Sequence, residues 1–325
     1  MLKSAKKQIN KYMQNIFGDG RVIYLLRIIN WTIFHWKERK RELHYGKEDP
    51  DKWYYIIRPE SLSDGLLSLY IKVYFEVKKA EQNKWIPYID FNDKKCQYRV
   101  NRLINGSNNA WEYYFTQPVK LDDDYLRTKK NVIISGWGFD TNDVKKYDLE
   151  YFCGKEFKEF LVKYGVNDYT ENIANSFYSK HFISGNTLGV FVRGTDYIKM
   201  KPRGHYVQPT VKQLEEKIDK FLLKYDIRKI FVVTEDKQIY DTLKYKYKNK
   251  IFTSDNYFVD NYSGSGFINT CFRDDPYERG LRYIVRLLLL SRSDYLITSL
   301  AGGSRYVLAL GANYKDKYIF DLGKY

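Results

Sequence analysis

The stretch GVFVRGTDYIKMKPRGHYVQP, Gly189 to Pro209, decides the predicted fold of this 325-residue chain. It begins inside a buried strand, Leu188 to Val192, and then breaks into a polar loop that carries Arg193, Gly194 and Asp196. In α/β proteins such a loop lies at the carboxyl edge of a sheet, where ligands bind. A guanidinium there suits a phosphate, because its planar fork donates two parallel hydrogen bonds. A strand end closed by a surface salt bridge is an equally good interpretation of this stretch alone.

Strands and helices alternate through the rest of the second half. The pattern predicts strands at Lys229–Val233, Lys250–Thr253 and Tyr295–Thr298. It predicts helices at Thr210–Tyr225, Gln238–Tyr247, Glu278–Ser291 and Arg305–Leu310, the first with Thr210 as its N-cap. Repeated strand–helix units of this kind predict a doubly wound parallel sheet.

The first half also opens as a βαβ unit, which implies parallel strands. Its predicted strands are Trp53–Ile57, Ile86–Phe91 and Asn131–Ser135, and its predicted helices are Leu66–Lys84, Tyr151–Tyr164 and Tyr169–His181. Residues 92–130 are irregular and contain an aromatic cluster of Trp111, Tyr113, Tyr114 and Phe115. These rings either line a cleft in which sugars stack or fill the core under a long loop.

The composition is basic, with 55 Lys and Arg against 40 Asp and Glu and a formal net charge of +15. Such a surface fits nucleic acid, an anionic membrane or a phosphorylated substrate. No helix-turn-helix, zinc-finger or RNA-binding signature is present. The three cysteines and four histidines do not fall at metal-ligand or disulfide spacing, so we expect no bound metal and a reducing compartment.

The N-terminal segment contains one amphipathic stretch, Arg21 to Trp36, flanked by lysines and by KERKRE. It is too short and too polar to span a bilayer. Residues 1–42 either lie on an anionic membrane surface or pack on the protein's own core. Without a secretory signal, we expect a cytoplasmic protein, peripheral at the inner membrane face in the first case.

Four loops of the second half leave the same edge of the predicted sheet. They begin at Arg193, at Thr234 in TED, at Ser254 in SDN and at Thr298 in TSLAGGS. The last is a small-residue turn into a helix, whose exposed N–H groups and positive end favour an anion. The candidate nucleotide-binding residues are Arg193, Thr234, Asp236, Ser254, Asp255, Ser299, Gly302, Gly303, Ser304 and Arg305. Each acid among them is also explained by an N-cap or a solvated loop.

The order of these motifs resembles the GDP-fucose glycosyltransferases, the α1,2/α1,6 and protein O-fucosyltransferase superfamily in a bacterial polysaccharide-type branch. The family's HVRRGD-like motif resembles FVRGTD at Phe191–Asp196, and its T-D-D strand end resembles VVTED at Val232–Asp236. Its F-x-S-D resembles FTSD at Phe252–Asp255, and its LSxADFLVCTxSS resembles LSRSDYLITSLAGGS at Leu290–Ser304. The resemblance covers roughly residues 185–310, with weaker agreement near residues 63–90.

The resemblance implies a GT-B-like α/β fold of two Rossmann-like domains facing a cleft. Residues 1–50 would then form a basic helical arm, residues 51–184 the acceptor-side domain and residues 185–325 the nucleotide-sugar domain. It implies inverting transfer without a cofactor or required metal, with a GDP-sugar as donor. Arg193 matches the arginine that holds the β-phosphate, Asp255 the acid that recognises guanine, and Ser299 a polar residue near the diphosphate. Phe191 and Gly194 depart from the His and second Arg of the family, so GDP is better supported than fucose.

An inverting transfer also uses a base for the acceptor hydroxyl. His205 is the only histidine in a candidate loop, and imidazole titrates near neutral pH. Asp196, Asp64 and Glu112 are rivals, and His205 is equally explained as a structural loop residue. Arg193 and the turn at Ser299–Ser304 would hold the diphosphate and offset its charge, with Arg305, Lys199 and Lys201 as further cations. The acidic run Asp122–Asp124 is interpreted as a solvated loop rather than a metal site.

The leading hypothesis is thus a glycosyltransferase that moves fucose or a related sugar from a GDP-sugar to a glycan or lipid-linked oligosaccharide in surface polysaccharide synthesis. Two alternatives stay open. A non-catalytic nucleotide- or sugar-binding protein would explain the departures at Phe191 and Gly194. A nucleic-acid-binding protein would explain the basic composition.

Overall fold

The computed structural model describes residues 40–58, 64–92, 96–121, 123–135, 149–182, 185–260, 262, 264, 268, 274–311 and 313–325. The amphipathic stretch at Arg21–Trp36 and most of the predicted arm lie outside the described residues. In the described part of the chain, no helix is both long and apolar enough to cross a membrane.

The first half contains four strands and five helices within the described residues. In chain order these are β1 (Arg41–Leu43), β2 (Tyr54–Ile57), α1 (Leu66–Gln82), β3 (Ile86–Ile89), α2 (Asp123–Thr128), β4 (Val132–Ile134), α3 (Leu149–Cys153), α4 (Lys155–Lys163) and α5 (Asp168–His181). The sheet order is β1-β4-β2-β3. Strand β2 pairs in parallel with both β3 and β4, as the βαβ pattern predicts, whereas β1 is antiparallel to β4.

The second half alternates strand and helix. Its elements are β5 (Thr187–Phe191), α6 (Thr195–Met200), α7 (Val211–Lys224), β6 (Lys229–Val233), α8 (Lys237–Tyr247), a 3-10 turn (Lys248–Lys250), β7 (Ile251–Phe252), α9 (Pro276–Ser291), β8 (Tyr295–Ser299), α10 (Gly302–Leu310) and β9 (Asp316–Phe320). All neighbours in the sheet are parallel, in the order β7-β6-β5-β8-β9. The strand order therefore reverses between β5 and β8, which makes that point the switch point of the sheet.

Together the two halves confirm the predicted fold class, a GT-B-like α/β architecture with two parallel-stranded, Rossmann-like halves facing a cleft. The limits of the three predicted domains stay a prediction. The helices behave as their sequences indicate: Thr210 caps α7 in a reciprocal capping box with Gln213, and Asp275 caps α9 ahead of Pro276.

Several local predictions are wrong. Residues 41–43 form an edge strand rather than part of a helical arm, because they pair with β4. The helix predicted at Tyr151–Tyr164 is two helices, since Gly154 adopts an extended N-cap conformation between α3 and α4. Asp123 and Asp124 begin helix α2 rather than a loop, and Asp122 lies outside the described residues.

The aromatic cluster of residues 111–115 belongs to the core and does not line the cleft. Trp111, Tyr113, Tyr114 and Phe115 are all 2% exposed or less. The rings of Trp111 and Phe115 pack with Tyr70 of α1, and the hydroxyl of Tyr114 donates to the carbonyl of Tyr277 at 3.0 Å. Aromatic rings of this size bury large apolar areas, so the cluster joins the two halves instead of binding sugar.

Candidate active site

A cleft of about 380 Å³ lies between the two halves, at the carboxyl edge of the second sheet. The first half contributes the start of α1, including Asp64 and Gly65. The second half contributes the loop after β5, the end of β6, and faces of α9 and α10. Six predicted site residues line it: Arg193, Asp196, His205, Thr234, Gly302 and Arg305. The switch point of the sheet thus coincides with the cleft, as α/β folds lead one to expect.

Arg193 is held from three sides. Its Nε donates to Glu235 at 3.0 Å, its NH2 group donates to Asp196 at 2.9 Å, and its guanidinium lies 4.6 Å from the centre of the Tyr197 ring. Burial works to lower the pKa of Arg193, but Glu235, Tyr197 and Asp196 outweigh it and raise that pKa further above its ordinary range. The charge of Arg193 is therefore largely matched by its own neighbours before any ligand binds.

Asp196 is a buried brace. Its side chain is 3% exposed and accepts from Arg193, from the backbone N–H of Tyr197 at 3.0 Å and from that of Ile268 at 3.2 Å. These donors occupy both oxygens of the Asp196 carboxylate, which braces the Arg193 loop. The assignment of Asp196 as a catalytic residue stays a prediction.

Glu235 and Asp236 hold the Arg193 loop in place. One oxygen of Glu235 accepts from Arg193, from the N–H of Gly194 at 2.9 Å and from the hydroxyl of Thr195 at 3.0 Å. Asp236 caps α8 through Ile239 and accepts from the N–H of Thr195, and it does not line the cleft. Gly194 does permit a close approach, but toward Asp236: a Cβ there would lie 2.4 Å from Asp236 Cβ.

The small-residue turn between β8 and α10 has an inner and an outer side. On the inner side, Ser304 exchanges hydrogen bonds with the backbone of Ala301, and a Cβ at Gly303 would meet Tyr283 at 2.7 Å. On the outer side, Gly302 and Arg305 line the cleft. A Cβ at Gly302 would meet no heavy atom of the described residues within 4 Å, so the first turn of α10 is open to a ligand.

Arg305 contrasts with Arg193 in its partners. Its guanidinium lies 4.9 Å from the centre of the Phe152 ring, and it forms no ion pair with any residue that the structure describes. An anion at the start of α10 would meet both this charge and the positive end of the helix. The open side of the turn is therefore a suitable place for a diphosphate.

Gln208 connects the two loops of the switch point, and sequence reasoning missed it, since its position before Pro209 was the one available signal. Its side-chain oxygen accepts from the N–H of Arg193 at 3.1 Å and from the hydroxyl of Ser299. Its amide nitrogen donates to the carbonyl of Leu300 at 3.2 Å. Ser299, predicted near the diphosphate, is fully buried, and its hydroxyl donates to the side-chain oxygen of Gln208.

Asp255, the predicted guanine-recognising acid, is bound by Arg286 of α9. Arg286 donates to both carboxylate oxygens, through Nε at 2.9 Å and through its NH2 group. The hydroxyl of Ser254 also donates to Asp255 at 3.2 Å. Arg286 lines the cleft, whereas Asp255 and Ser254 are not among the residues that line it.

Helix α9 presents a row of polar side chains to the cleft that sequence reasoning missed. Arg279, Arg282, Tyr283 and Arg286 recur at helical spacing, which is the signal that would have found them. Asp274 pairs with Arg279 at 3.5 Å and with Arg282, so much of this charge is already compensated. Burial raises the pKa of the Tyr283 hydroxyl, which keeps it protonated at neutral pH.

Three candidates for the base occupy different places. His205 lines the cleft, with its ring edge-on to that of Tyr197 at 5.1 Å between centres. Asp64 lines the cleft and pairs with Lys72 of α1, and the N-cap of α1 is Gly65 rather than Asp64. Glu112 lies outside the cleft lining, where Ser107 and Gln117 donate to its two oxygens at 2.7 and 2.9 Å.

The predicted further cations are not in the cleft lining. Lys199 donates to the carbonyl of Tyr262, and Lys201 is an exposed residue at the end of α6. Across the described ranges, no group of three or more His, Cys, Asp or Glu side chains is arranged to hold a metal ion.

The solved structures that resemble this chain include the fucosyltransferase NodZ and POFUT1. NodZ from Bradyrhizobium is 15% identical over 79% of this chain and 93% of that one, with a TM-score of 0.48. POFUT1 in complex with GDP-fucose is 10% identical over 84% of this chain and 98% of that one, with a TM-score of 0.49. No protein-family model and no curated protein matches the chain.

Proposed function

We propose that this chain is a glycosyltransferase that takes a sugar from a GDP-sugar and transfers it to a hydroxyl group of a glycan. One observation carries the proposal: the open first turn of α10, with Gly302 and Arg305, meets the Arg193 loop at the switch point, inside a cleft between two α/β halves. That arrangement suits a ligand with a diphosphate in its middle, a nucleoside on one side and a sugar on the other.

The proposed chemistry is an inverting displacement. The acceptor oxygen attacks the anomeric carbon, the bond from that carbon to the diphosphate oxygen breaks, and the diphosphate leaves with the bonding electrons. Arg305 and the N–H groups at the start of α10 offset the charge that develops on the leaving group. His205 takes the proton of the acceptor hydroxyl, since it lines the cleft and imidazole accepts protons near neutral pH.

The finer parts of the proposal rest on the sequence motifs. Fucose is the proposed sugar because four motifs in order resemble fucosyltransferases, although Phe191 and Gly194 stand where that family has His and Arg. The guanidinium of Arg305 can offset the negative charge of the diphosphate in place of a metal ion, so we propose metal-independent transfer without a cofactor. A glycan of surface polysaccharide, reached at the inner membrane face, is the proposed acceptor.

A thermal-shift panel tests the donor directly. The purified protein is heated with GDP, UDP, CDP, dTDP and GDP-fucose, because a ligand that binds only the folded state raises Tm by mass action. We expect a shift with GDP and GDP-fucose alone. A shift with UDP or dTDP instead would retain a nucleotide-sugar enzyme and reject the GDP assignment, and no shift with any nucleotide would reject the proposal.

Transfer is then measured as GDP released from GDP-fucose with and without a glycan acceptor, in the presence of EDTA. His205→Gln is the informative variant, since it keeps a polar side chain and removes the proton acceptor. We expect it to retain the GDP-induced Tm shift and to lose transfer by about 10²-fold or more. Full transfer by this variant would reject His205 as the base.

A second candidate function is a non-catalytic nucleotide-binding protein. The observation that favours it is that Asp196 and Arg193 are already engaged with each other and with Glu235, which leaves few uncommitted groups for chemistry. A GDP-selective Tm shift without donor hydrolysis or transfer would support this candidate over the enzyme.

A further inference from the structure

Residues 323–325 lie alongside the loop that carries His205 and form an isolated antiparallel bridge with it. The N–H of Gly204 donates to the carbonyl of Tyr325 at 2.9 Å, and the N–H of Tyr325 donates to the carbonyl of His205 at 3.0 Å. The N–H of Val207 donates to the carbonyl of Gly323 at 3.0 Å. Tyr206 and Lys324 lie opposite each other in antiparallel register. We infer that residues 323–325 are a positioning segment that fixes the His205 loop at the edge of the cleft.

The path of the chain explains why this segment reaches the cleft. Strand β9 pairs with β8 in parallel, with Phe320 opposite Ser299, so the chain leaves the sheet at the same edge as the switch-point loops. Gly323 then adopts φ +81 and Gly204 adopts φ +82, conformations that favour glycine over other residues. The two positive-φ glycines let the tail and the loop turn toward each other.

The opposite side of the same loop is held by Gln208. Its side chain donates to the carbonyl of Tyr206 at 3.1 Å and accepts from the N–H of Arg193. The loop therefore lies between the tail on one side and the Arg193 loop on the other. Its own turn adds one bond, from the N–H of His205 to the carbonyl of Pro202 at 3.0 Å. Loss of the tail removes three of these backbone bonds and leaves the Gln208 side intact.

The consequence concerns catalysis rather than donor binding. Among the described residues, no hydrogen bond joins residues 323–325 to Arg193, Gly302 or Arg305, so we expect donor binding to be retained without them. A displaced base, in contrast, slows proton transfer, because a shift of about 1 Å can lower a rate by about 100-fold. The inference rests on the proposed function for its kinetic readout, and a second readout on the free protein keeps the two separable.

Tyr325→Pro is the sharpest variant, since it removes the N–H that donates to the carbonyl of His205. Tyr325→Ala is the matched control, because it also loses the ring but keeps that N–H. We expect Tyr325→Pro to lower kcat by about 10-fold to 100-fold with an unchanged KM for the donor, and Tyr325→Ala to keep most of kcat. Deletion of residues 323–325 should lower kcat at least as much as Tyr325→Pro, with the GDP-induced Tm shift retained.

Chemical modification by diethyl pyrocarbonate, mapped by mass spectrometry, gives the readout without activity. We expect His205 to react faster in Tyr325→Pro than in Tyr325→Ala, with exposed His181 as the internal reference. Equal His205 reactivity and equal kcat in the two variants would overturn the inference. If no nucleotide binds the wild-type protein, the proposed function fails, and the modification rates still decide whether the tail positions His205.

Discussion

Two loops leave adjacent parallel strands at the switch point, and they use arginine in opposite ways. The loop after β5 closes on itself, because Arg193 is matched by Glu235 and Asp196 and its backbone is tied to Gln208. The turn after β8 stays open, because Gly302 faces empty space and Arg305 has no ion pair among the described residues. Arg193 therefore braces its own loop, whereas the charge of Arg305 has no carboxylate partner among the described residues.

The largest effect on stability is expected for Arg193→Ala. The family resemblance, in which Arg193 holds the β-phosphate, implies loss of transfer with an intact fold. The structure predicts a lower free energy of unfolding as well, by about 3–5 kcal/mol, because two carboxylates that are 3% and 15% exposed lose their partner. Urea unfolding followed by circular dichroism measures it. The double variant Arg193→Ala, Glu235→Gln should recover part of the loss, and an unchanged unfolding midpoint in Arg193→Ala would contradict the brace.

Arg305→Ala should show the reverse behaviour. Its removal leaves no buried carboxylate behind, so we expect the free energy of unfolding to change by about 0.5 kcal/mol or less. GDP affinity should fall by about tenfold or more, since hydrogen bonds to charged groups contribute about 1.5–3 kcal/mol. Isothermal titration with GDP measures it, with Arg228→Ala as a control outside the cleft. Equal GDP affinity in Arg305→Ala and Arg228→Ala would remove Arg305 from the site.

Substituting alanine for one glycine in each loop adds a single methyl group and tests the same difference between the loops. In Gly194→Ala the new Cβ overlaps Asp236 at 2.4 Å, so we expect a loss of stability of about 1–3 kcal/mol. In Gly302→Ala the methyl enters the open cleft, so stability should hold while GDP binding weakens. Thermal unfolding with and without GDP separates the two effects. A stable Gly194→Ala protein would show that the Arg193 loop can move away from Asp236.

Most of the second half was predictable because local and long-range signals agree there. The β6 prediction matches residue for residue, and the N-cap of α7 follows from Thr210 and Gln213, since each depends on short-range pattern and capping chemistry. The first half was harder because its short edge strand β1 is defined by pairing with β4, some 90 residues away. Gly154 divides a continuous helical pattern for a backbone reason that hydrophobic spacing does not carry.

For the site, the sequence indicated which loops converge but not which way their side chains point. It placed Arg193, Asp196, Thr234, Gly302 and Arg305 in one cleft, and they line it together. It had no means of showing that Asp255 is bound by Arg286, because that contact joins a loop to a helix 31 residues later. Inward and outward sides of the α10 turn, too, depend on packing against Tyr283, which only the folded chain specifies.

The smallest effect on stability is expected for an exposed ion pair that does not line the cleft. Arg102 of the first half pairs with Asp275, the N-cap of α9, but these side chains are 51% and 31% exposed. Solvent screens an exposed pair of this kind, so its removal should change the free energy of unfolding far less than removal of the buried pairing of Arg193. The hydrogen bond from Arg102 lowers the folded-state pKa of Asp275, so this stability is present above the unfolded pKa of about 3.9 and is lost as pH falls through the folded value. The free energies of unfolding of wild type and Arg102→Ala should differ slightly at pH 6, and the difference should disappear as pH falls through the folded-state pKa of Asp275. A difference as large as that of Arg193→Ala would mean that pairing itself, rather than burial, sets the cost, and the distinction between the two switch-point loops would lose its physical basis.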